Sequence, residues 1–167
     1  MDRDEEFRWL FATEYQSVVR TTYLVLRDHA RAEEIAQDAF VQLLRHWKKV
    51  RDYDSPPAWV RRVALRLAAK DERRERLRNL LTRREAAAAP TPVAEADPLS
   101  DAGLRAAIRQ LPAQQRAVVV LFYYEDRPME EIAQIVGCSM STGWVHLHRA
   151  RKRLGTLLAE EVGDDVR

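Results

Sequence analysis

Apolar side chains recur at helical spacing over most of the chain. Residues 4–27 predict one long helix, because the following positions share one face at a period of about 3.6 residues: Phe7, Leu10, Phe11, Glu14, Val18, Val19 and Thr22. A second helix is expected from the capping residue Asp28 to about Val50, with an inward stripe of Ile35, Ala36, Ala39, Phe40, Leu43, Leu44 and Trp47. No glycine precedes Gly103 and no alternating strand pattern is present, so the pattern predicts an all-α fold.

Two consecutive prolines, at 56 and 57, separate this helix from a third one. The third helix is expected to open at Pro57 or Ala58 and to turn one apolar face inward, made of Trp59, Val63, Leu67, Ala64 and Ala68. Its cations are expected to face outward: Arg61, Arg62, Arg66 and Lys70.

Helical periodicity is lost between about Leu80 and Ser100, where three prolines and many alanines predict a flexible linker. We expect this linker to be helical at its start and extended around residues 90–98. The boundaries predicted on this basis are a first domain over 1–79, a linker over 80–99, a second domain over 100–160 and a tail over 161–167.

The second domain is predicted to contain four helices. Ser100 or Asp101 would cap the first, which carries Leu104, Ile108 and Leu111. Pro112 suits the first position of the next helix, and Pro128 opens a short third one. A tight turn at Gly137-Cys138-Ser139 precedes a last helix over about 140–158.

Charge is segregated along the chain, although the formal net charge is only +2. Residues 61–84 hold 10 basic and 3 acidic side chains. A concentrated basic stripe indicates a polyanionic partner such as nucleic acid. The alternative is a solvated helix face with salt bridges.

Several function classes are disfavoured by composition. Cys138 is the only cysteine among 167 residues, which excludes an internal disulfide framework and fits a reducing cytoplasm. No apolar run approaches the ~18 residues that cross a bilayer, and no secretory signal is visible. Gly-rich phosphate loops and nucleophile triads are missing, so we expect neither an enzyme nor a cofactor. Cys138, His146 and His148 lack a compact zinc spacing, and we expect no metal.

The segment PMEEIAQIVGCSMSTGWVHLHRARKRL has the form of a short helix, a glycine turn and a longer helix with a basic end. This is the layout of a helix-turn-helix, whose second helix enters the major groove of DNA. The alternative is a plain helical hairpin inside a bundle.

Two motifs together resemble the extracytoplasmic-function (group four) sigma factors of bacteria. Residues 111–154, from LPAQQRAVVV to HLHRARKRL, are similar to their domain 4, and the string EEIAQDAF at 33–40 is similar to a motif of their domain 2. Trp59 and the arginine-rich helix after it match the promoter-reading helix of that domain. The resemblance covers roughly residues 5–78 and 100–158, and it implies two helical domains that bind core RNA polymerase and promoter DNA.

The resemblance implies a role for particular residues toward the polymerase. Asp38, Gln42 and Trp47 would dock on the clamp of the largest subunit, where a carboxylate can pair with an arginine. The alternative for Asp38 is an exposed intrahelical charge. Phe122, with Val118 and Val119, would contact the flap, or these three would be internal core.

The resemblance also implies which residues hold the unwound −10 strand. Single-strand capture needs cations for phosphates and pockets for flipped bases. The set is Tyr53, Asp54, Ser55, Arg61, Arg62, Arg66, Lys70, Arg73 and Arg74. Trp59 is also available, although its spacing with Val63 favours the core. Relatives often carry Asn and Asp where this chain has Arg66 and Lys70, which implies an altered −10 preference.

Domain 4 would read the −35 element as duplex, through Ser139, Ser141, Thr142, Trp144, Val145, His146 and Arg149. This chain departs from the family pattern here, because Gly143 replaces an apolar core residue and Trp144 stands where a cation is common. Trp144 would either fill the volume that Gly143 leaves or touch thymine methyl groups, and we favour the first. The −35 sequence therefore cannot be transferred from relatives.

The family also implies an anti-sigma factor as a partner, and the lack of a long apolar run predicts no insertion into the membrane. The best rival hypothesis is a stand-alone helix-turn-helix regulator that binds duplex DNA by itself. A third is an adaptor that binds a protein partner without DNA.

Overall fold

A computed structural model describes residues 1–82 and 102–164, with side chains up to residue 160. The described residues form seven α-helices and no strand: α1 (Arg3–Leu26), α2 (His29–Val50), α3 (Pro56–Leu81), α4 (Ala102–Arg109), α5 (Ala113–Val119), α6 (Met129–Val136) and α7 (Met140–Asp164). The predicted all-α class is confirmed over these ranges. The helical start and extended part predicted for the linker lie outside the described residues, except that α3 continues through Leu81.

Helices α1, α2 and α3 pack against one another and form the N-terminal domain. Each helix begins at a side-chain cap, which satisfies amide groups that have no partner inside the helix. Asp2 forms a capping box with Glu5, Asp28 accepts from the amide of Arg31, and the Ser55 Oγ accepts from the amide of Ala58 at 3.2 Å. The Ser55 cap explains why α3 begins at Pro56, one residue before the predicted start.

The core of this domain follows the predicted stripes, with two exceptions. Val18, Leu43 and Val60 are fully buried, as are Ala32, Ala36 and Ala39 of α2. Leu44 was expected to face inward but is 58% exposed, because the interhelical seam is narrower than the apolar stripe. Phe11 is 40% exposed and lies at the rim, where it stacks on Tyr15 and meets the edge of Phe40.

The C-terminal domain consists of α4 to α7 around a second apolar core. Helix α5 continues into a π-helical turn over Val120–Tyr124. Pro112 and Pro128 are the N-cap residues of α5 and α6, so each of these helices begins one residue later than predicted. Gly137 has a φ of 81°, which confirms the predicted glycine turn. Helix α7 runs to Asp164, beyond the predicted end at about 158 and into the predicted tail.

The two domains are in contact. Helix α3 packs against α6, and α1 packs against the π-helical turn. Within the described residues, no helix combines the length and the apolar character that a membrane crossing requires.

Candidate nucleic-acid interface

Arg61 lies inside the N-terminal domain and is only 4% exposed. Its guanidinium contacts Glu14 Oε2 at 2.6 Å and donates to Ser17 Oγ at 2.8 Å. The prediction that Arg61 faces outward is therefore wrong. Arg61 lies on the side of α3 that faces α1. The Glu14 carboxylate of α1 compensates the buried charge of the Arg61 guanidinium.

Arg62 is half-buried at the contact between the domains. Its guanidinium donates to the backbone carbonyl of Gln134 in α6. The same side chain lies beside Gly137, where an added Cβ would come within 3.2 Å of Arg62 Nε. Arg62 therefore faces the second domain rather than open solvent.

The remaining predicted cations of α3 form an exposed basic face, made of Arg66, Lys70, Arg73 and Arg74. The acidic residues of this helix pair with other cations: Asp71 with Arg31, Glu72 with Arg116 and with Arg76 of α3, and Glu75 with Arg78 of α3. Among the residues that the structure describes, no carboxylate forms a salt bridge with these four cations, unlike on a salt-bridged solvated surface.

The loop between α2 and α3 borders a cavity of about 560 Å³. Tyr53 is 41% exposed beside it, and Asp54 is exposed as well. Trp59 also lines this cavity, while part of its ring packs against the core of the N-terminal domain. The structure therefore brings the predicted loop and Arg62 to one open cavity, which Gln134 of the other domain also lines.

The predicted polymerase-facing residues of α2 do not share one environment. Asp38 is exposed and Gln42 is half-buried. Trp47 is buried, with its Nε1 donating to the Arg3 carbonyl at 2.9 Å and its ring edge-on to Phe7. The expectation that Trp47 forms part of an outer docking surface is wrong, because this ring anchors the start of α1.

Two exposed apolar residues follow Asp38 on α2, and the sequence pattern does not predict their exposure. Val41 is 46% exposed and Leu44 is 58% exposed on the outer face of α2. The apolar character of Val41 and Leu44 did not indicate exposure, because apolar residues at these positions are equally compatible with a wide buried stripe.

The predicted base-reading residues lie at the N-terminal part of α7. Ser139 caps this helix, since its Oγ accepts from the amide of Thr142 at 3.1 Å. His146 is half-buried, and the others are exposed: Ser141, Thr142, Trp144, Val145 and Arg149. A helix N-terminus with exposed polar and apolar side chains is suited to contact base edges and phosphates.

Met129, not Trp144, fills the space at Gly143. A Cβ built on Gly143 would lie 2.5 Å from the Met129 Sδ. Trp144 is 47% exposed and contacts Phe122 edge-to-face, with ring centroids 5.8 Å apart. The favoured expectation that Trp144 repairs the core is therefore wrong, because Met129 of α6 already occupies that volume.

Phe122 belongs to a surface cluster of aromatic residues and one cation. The Arg151 guanidinium lies 5.7 Å from the Phe122 ring centroid and 5.5 Å from that of Tyr123. Val118 and Val119 are fully buried, so these two residues belong to the internal core and not to a flap contact. Of the three residues predicted to contact the flap, Phe122 is the one that the structure leaves partly exposed.

Cys138 lies half-buried in the turn before α7. Burial raises the pKa of its thiol, and the nearby Arg62 guanidinium opposes that rise. Among residues 1–82 and 102–160, no group of His, Cys, Asp and Glu side chains has the geometry of a metal site.

Two family models match this chain. The model described as Sigma-70 region 2 matches residues 10–78, and that described as Sigma-70, region 4 matches residues 102–154. Together they span most of the sequence, and each falls within one of the two helical domains.

Curated relatives match over nearly the full chain. The RNA polymerase sigma-E factor of Streptomyces coelicolor is 28% identical, covering 89% of this chain and 84% of the relative. SigV of Bacillus subtilis is 23% identical, with 87% of both chains covered. The ECF RNA polymerase sigma factor SigL of Mycobacterium tuberculosis is 28% identical, covering 80% of this chain and 77% of the relative.

One solved structure has the same fold. It is the sigma factor RpoE in complex with the anti-sigma factor NepR from Bartonella quintana, with a TM-score of 0.65 and 19% identity. The structural match covers 93% of this chain and 98% of the solved chain.

The chain belongs to the sigma-70 family and, within it, to the extracytoplasmic-function sigma factors. It is an alternative sigma factor that directs transcription by RNA polymerase from promoter DNA.

Proposed function

We propose that the two domains divide promoter recognition, with α3 holding the −10 strand and α7 reading the −35 duplex. The observation that carries this proposal is the pair of exposed faces, one basic on α3 and one at the N-terminal part of α7, within the two matched sigma regions.

The −10 surface consists of a cationic track beside an aromatic loop. Arg66, Lys70, Arg73 and Arg74 supply charge for phosphates, and Tyr53 supplies a ring on which an unpaired base can stack. The adjacent cavity is large enough for a flipped base. Arg61 is excluded from direct contact because its charge is compensated inside the domain.

The −35 surface consists of short polar side chains at the start of α7, with larger side chains in the next two turns. Ser141 and Thr142 suit phosphates and base edges, Arg149 supplies a cation, and Trp144 and Val145 offer apolar contact to thymine methyl groups. The exposure of Trp144 supports the DNA-facing alternative for this residue.

The core-polymerase surface is the outer face of α2. Asp38 provides a charge for an arginine of the partner, and Gln42, Val41 and Leu44 provide contact area around it. The cluster around Phe122 is a second contact, toward the flap.

An anti-sigma factor is proposed as a regulatory partner, since the RpoE relative is crystallised with one. Because the polymerase and the promoter are cytoplasmic, the chain is proposed to act in the cytoplasm, and its role is binding rather than catalysis.

Run-off transcription with bacterial core polymerase on a pool of genomic fragments tests this function. New discrete starts should need the intact chain and disappear with Asp38→Arg. Gln16→Arg puts the same side chain on an exposed position of α1 and should retain the starts. If core polymerase gives the same products with and without the chain, the proposed function fails.

A further inference from the structure

A second cleft, of about 640 Å³, lies between α3 and the turn that joins α4 to α5. It shares no lining residue with the cavity that the loop between α2 and α3 borders. Its volume is within the range of cavities that hold small ligands. None of the roles proposed above requires this cleft.

Three guanidinium groups line the cleft, those of Arg73 and Arg76 from α3 and that of Arg109 from the end of α4. All three side chains are exposed. Over residues 1–82 and 102–160, neither Arg73 nor Arg109 forms an ion pair with a carboxylate. Two cations of the cleft are therefore available to an anionic ligand.

The carboxylate that lines the cleft, Glu72, does not offset this positive charge. Its Oε1 accepts from the Arg116 guanidinium, which is 2% exposed and lies beneath the cleft surface. Its Oε2 is buried, with the Arg76 Nη2 atom 3.6 Å away. Because Arg116 compensates the charge of Glu72, the cleft keeps the positive charge of its three arginines.

Arginines that share one cleft are suited to an oligophosphate group. Each guanidinium can donate two parallel hydrogen bonds to phosphate oxygens, and a chain of two or three phosphates offers enough oxygens for several arginines at once. A single phosphate carries fewer oxygens and less charge. The number of cations in one concave site therefore favours a diphosphate or triphosphate over a monophosphate.

We propose that this cleft binds the oligophosphate group of a small ligand, either a nucleoside diphosphate or triphosphate or a free pyrophosphate. Arg73 and Arg76 hold the group from α3, and Arg109 holds it from α4. The site joins one helix of each domain, so the ligand contacts both domains at the same time.

Ala113→Glu tests the site without removing a cation. Ala113 lines the cleft at the first residue of α5 and is exposed, so the new carboxylate would repel phosphate. Gln114→Glu is the matched control, because it adds the same charge at the next exposed position, which does not line the cleft. Circular dichroism checks that both variants retain their helices.

Titration calorimetry of the full chain with ATP, GTP, pyrophosphate and AMP measures binding. At least one of the first three should bind with a Kd of roughly 10–100 µM, and AMP should bind at least about tenfold more weakly. Binding by a nucleotide but not by pyrophosphate assigns the ligand to the nucleotides, and equal binding assigns it to the phosphates alone. Ala113→Glu should weaken binding at least about tenfold, whereas Gln114→Glu should match wild type.

A second pair of variants tests the cation from α4. Arg109→Gln should weaken binding at least about fivefold, while Arg153→Gln, at an exposed position of α7 outside the cleft, should not. No binding of ATP, GTP or pyrophosphate at about 1 mM would overturn the site. Equal affinities for Ala113→Glu and Gln114→Glu would also overturn it, as would AMP binding as tight as that of ATP.

Discussion

Gly143 and Met129 form a complementary pair at the centre of the helix-turn-helix. The missing side chain of Gly143 leaves a space that the Met129 thioether fills from α6, with Sδ 2.5 Å from the position a Cβ would take. Methionine suits this role because its unbranched chain fills irregular gaps. The family's usual apolar residue is thus replaced by a contact from the opposite helix, and Trp144 is left at the surface.

Gly143→Ala should lower the free energy of unfolding by about 1 kcal/mol, because strain against buried Met129 outweighs the gain in helix propensity. Gly155→Ala is the matched control on the same helix, where an added Cβ meets nothing within 4 Å. It should raise stability by up to about 1 kcal/mol. Urea denaturation measures both, and equal stabilisation by the two changes would contradict this account.

Arg61 and Arg66 are five residues apart on α3 but have different roles. Arg61→Ala should lower the free energy of unfolding by about 2 kcal/mol, because Glu14 loses its partner at a site that is largely but not fully dry. Arg66→Ala should change stability by less than about 0.5 kcal/mol. Chemical denaturation distinguishes the two, and a wild-type midpoint for Arg61→Ala would refute the structural role.

Arg61 and Arg66 are also expected to have different roles in promoter binding, since only Arg66 is exposed. Arg66→Ala should weaken binding by the holoenzyme and reduce the slope of log affinity against log salt by about one, the signature of one lost phosphate contact. Filter binding over a salt series measures the slope. An unchanged slope would remove Arg66 from the proposed −10 surface.

At the scale of elements, helix α2 has a buried face and an exposed face, and the apolar periodicity did not predict where one ends and the other begins. Leu44 is predicted to face inward, yet it is exposed, and it lies three residues after the exposed Val41, which itself follows Asp38 by three residues. An apolar patch next to a carboxylate is typical of a protein-binding surface.

Leu44→Asp should weaken binding to core polymerase by at least about tenfold, because a carboxylate must be desolvated against an apolar partner surface. Leu44→Met is the conservative control and should bind like wild type. Competition with a labelled chain for core polymerase gives both affinities. Wild-type binding by Leu44→Asp would exclude this face from the contact.

Helices, caps and turns were largely predictable because they depend on neighbours in sequence. The Asp28 cap and the Gly137 turn are local features, and both appear where expected. The burial of Arg61 and Trp47 depends on Glu14 and Arg3, which are more than forty residues away, and periodicity carries no such information. Phosphate-binding chemistry could be inferred from residue type, but which cations remain exposed depended on tertiary packing.

At the scale of the whole molecule, the contact between the domains is the feature that no sequence pattern indicated. Arg116 lies in the segment 111–154 that is similar to domain 4, and helical periodicity gives it no partner in the other domain. Its pairing with Glu72 joins two helices that a long segment separates in sequence. Docking of one domain on another is decided by shape and charge over both surfaces, and single-helix periodicity does not encode it.

Permanganate footprinting of a promoter obtained from the run-off assay tests the central claim most directly. The chain with core polymerase should make thymines of the −10 element reactive, whereas the chain alone and core polymerase alone should leave them protected in the duplex. Tight binding of duplex DNA by the chain alone, with no reactive thymines when core polymerase is present, would contradict a sigma factor and indicate a stand-alone helix-turn-helix regulator.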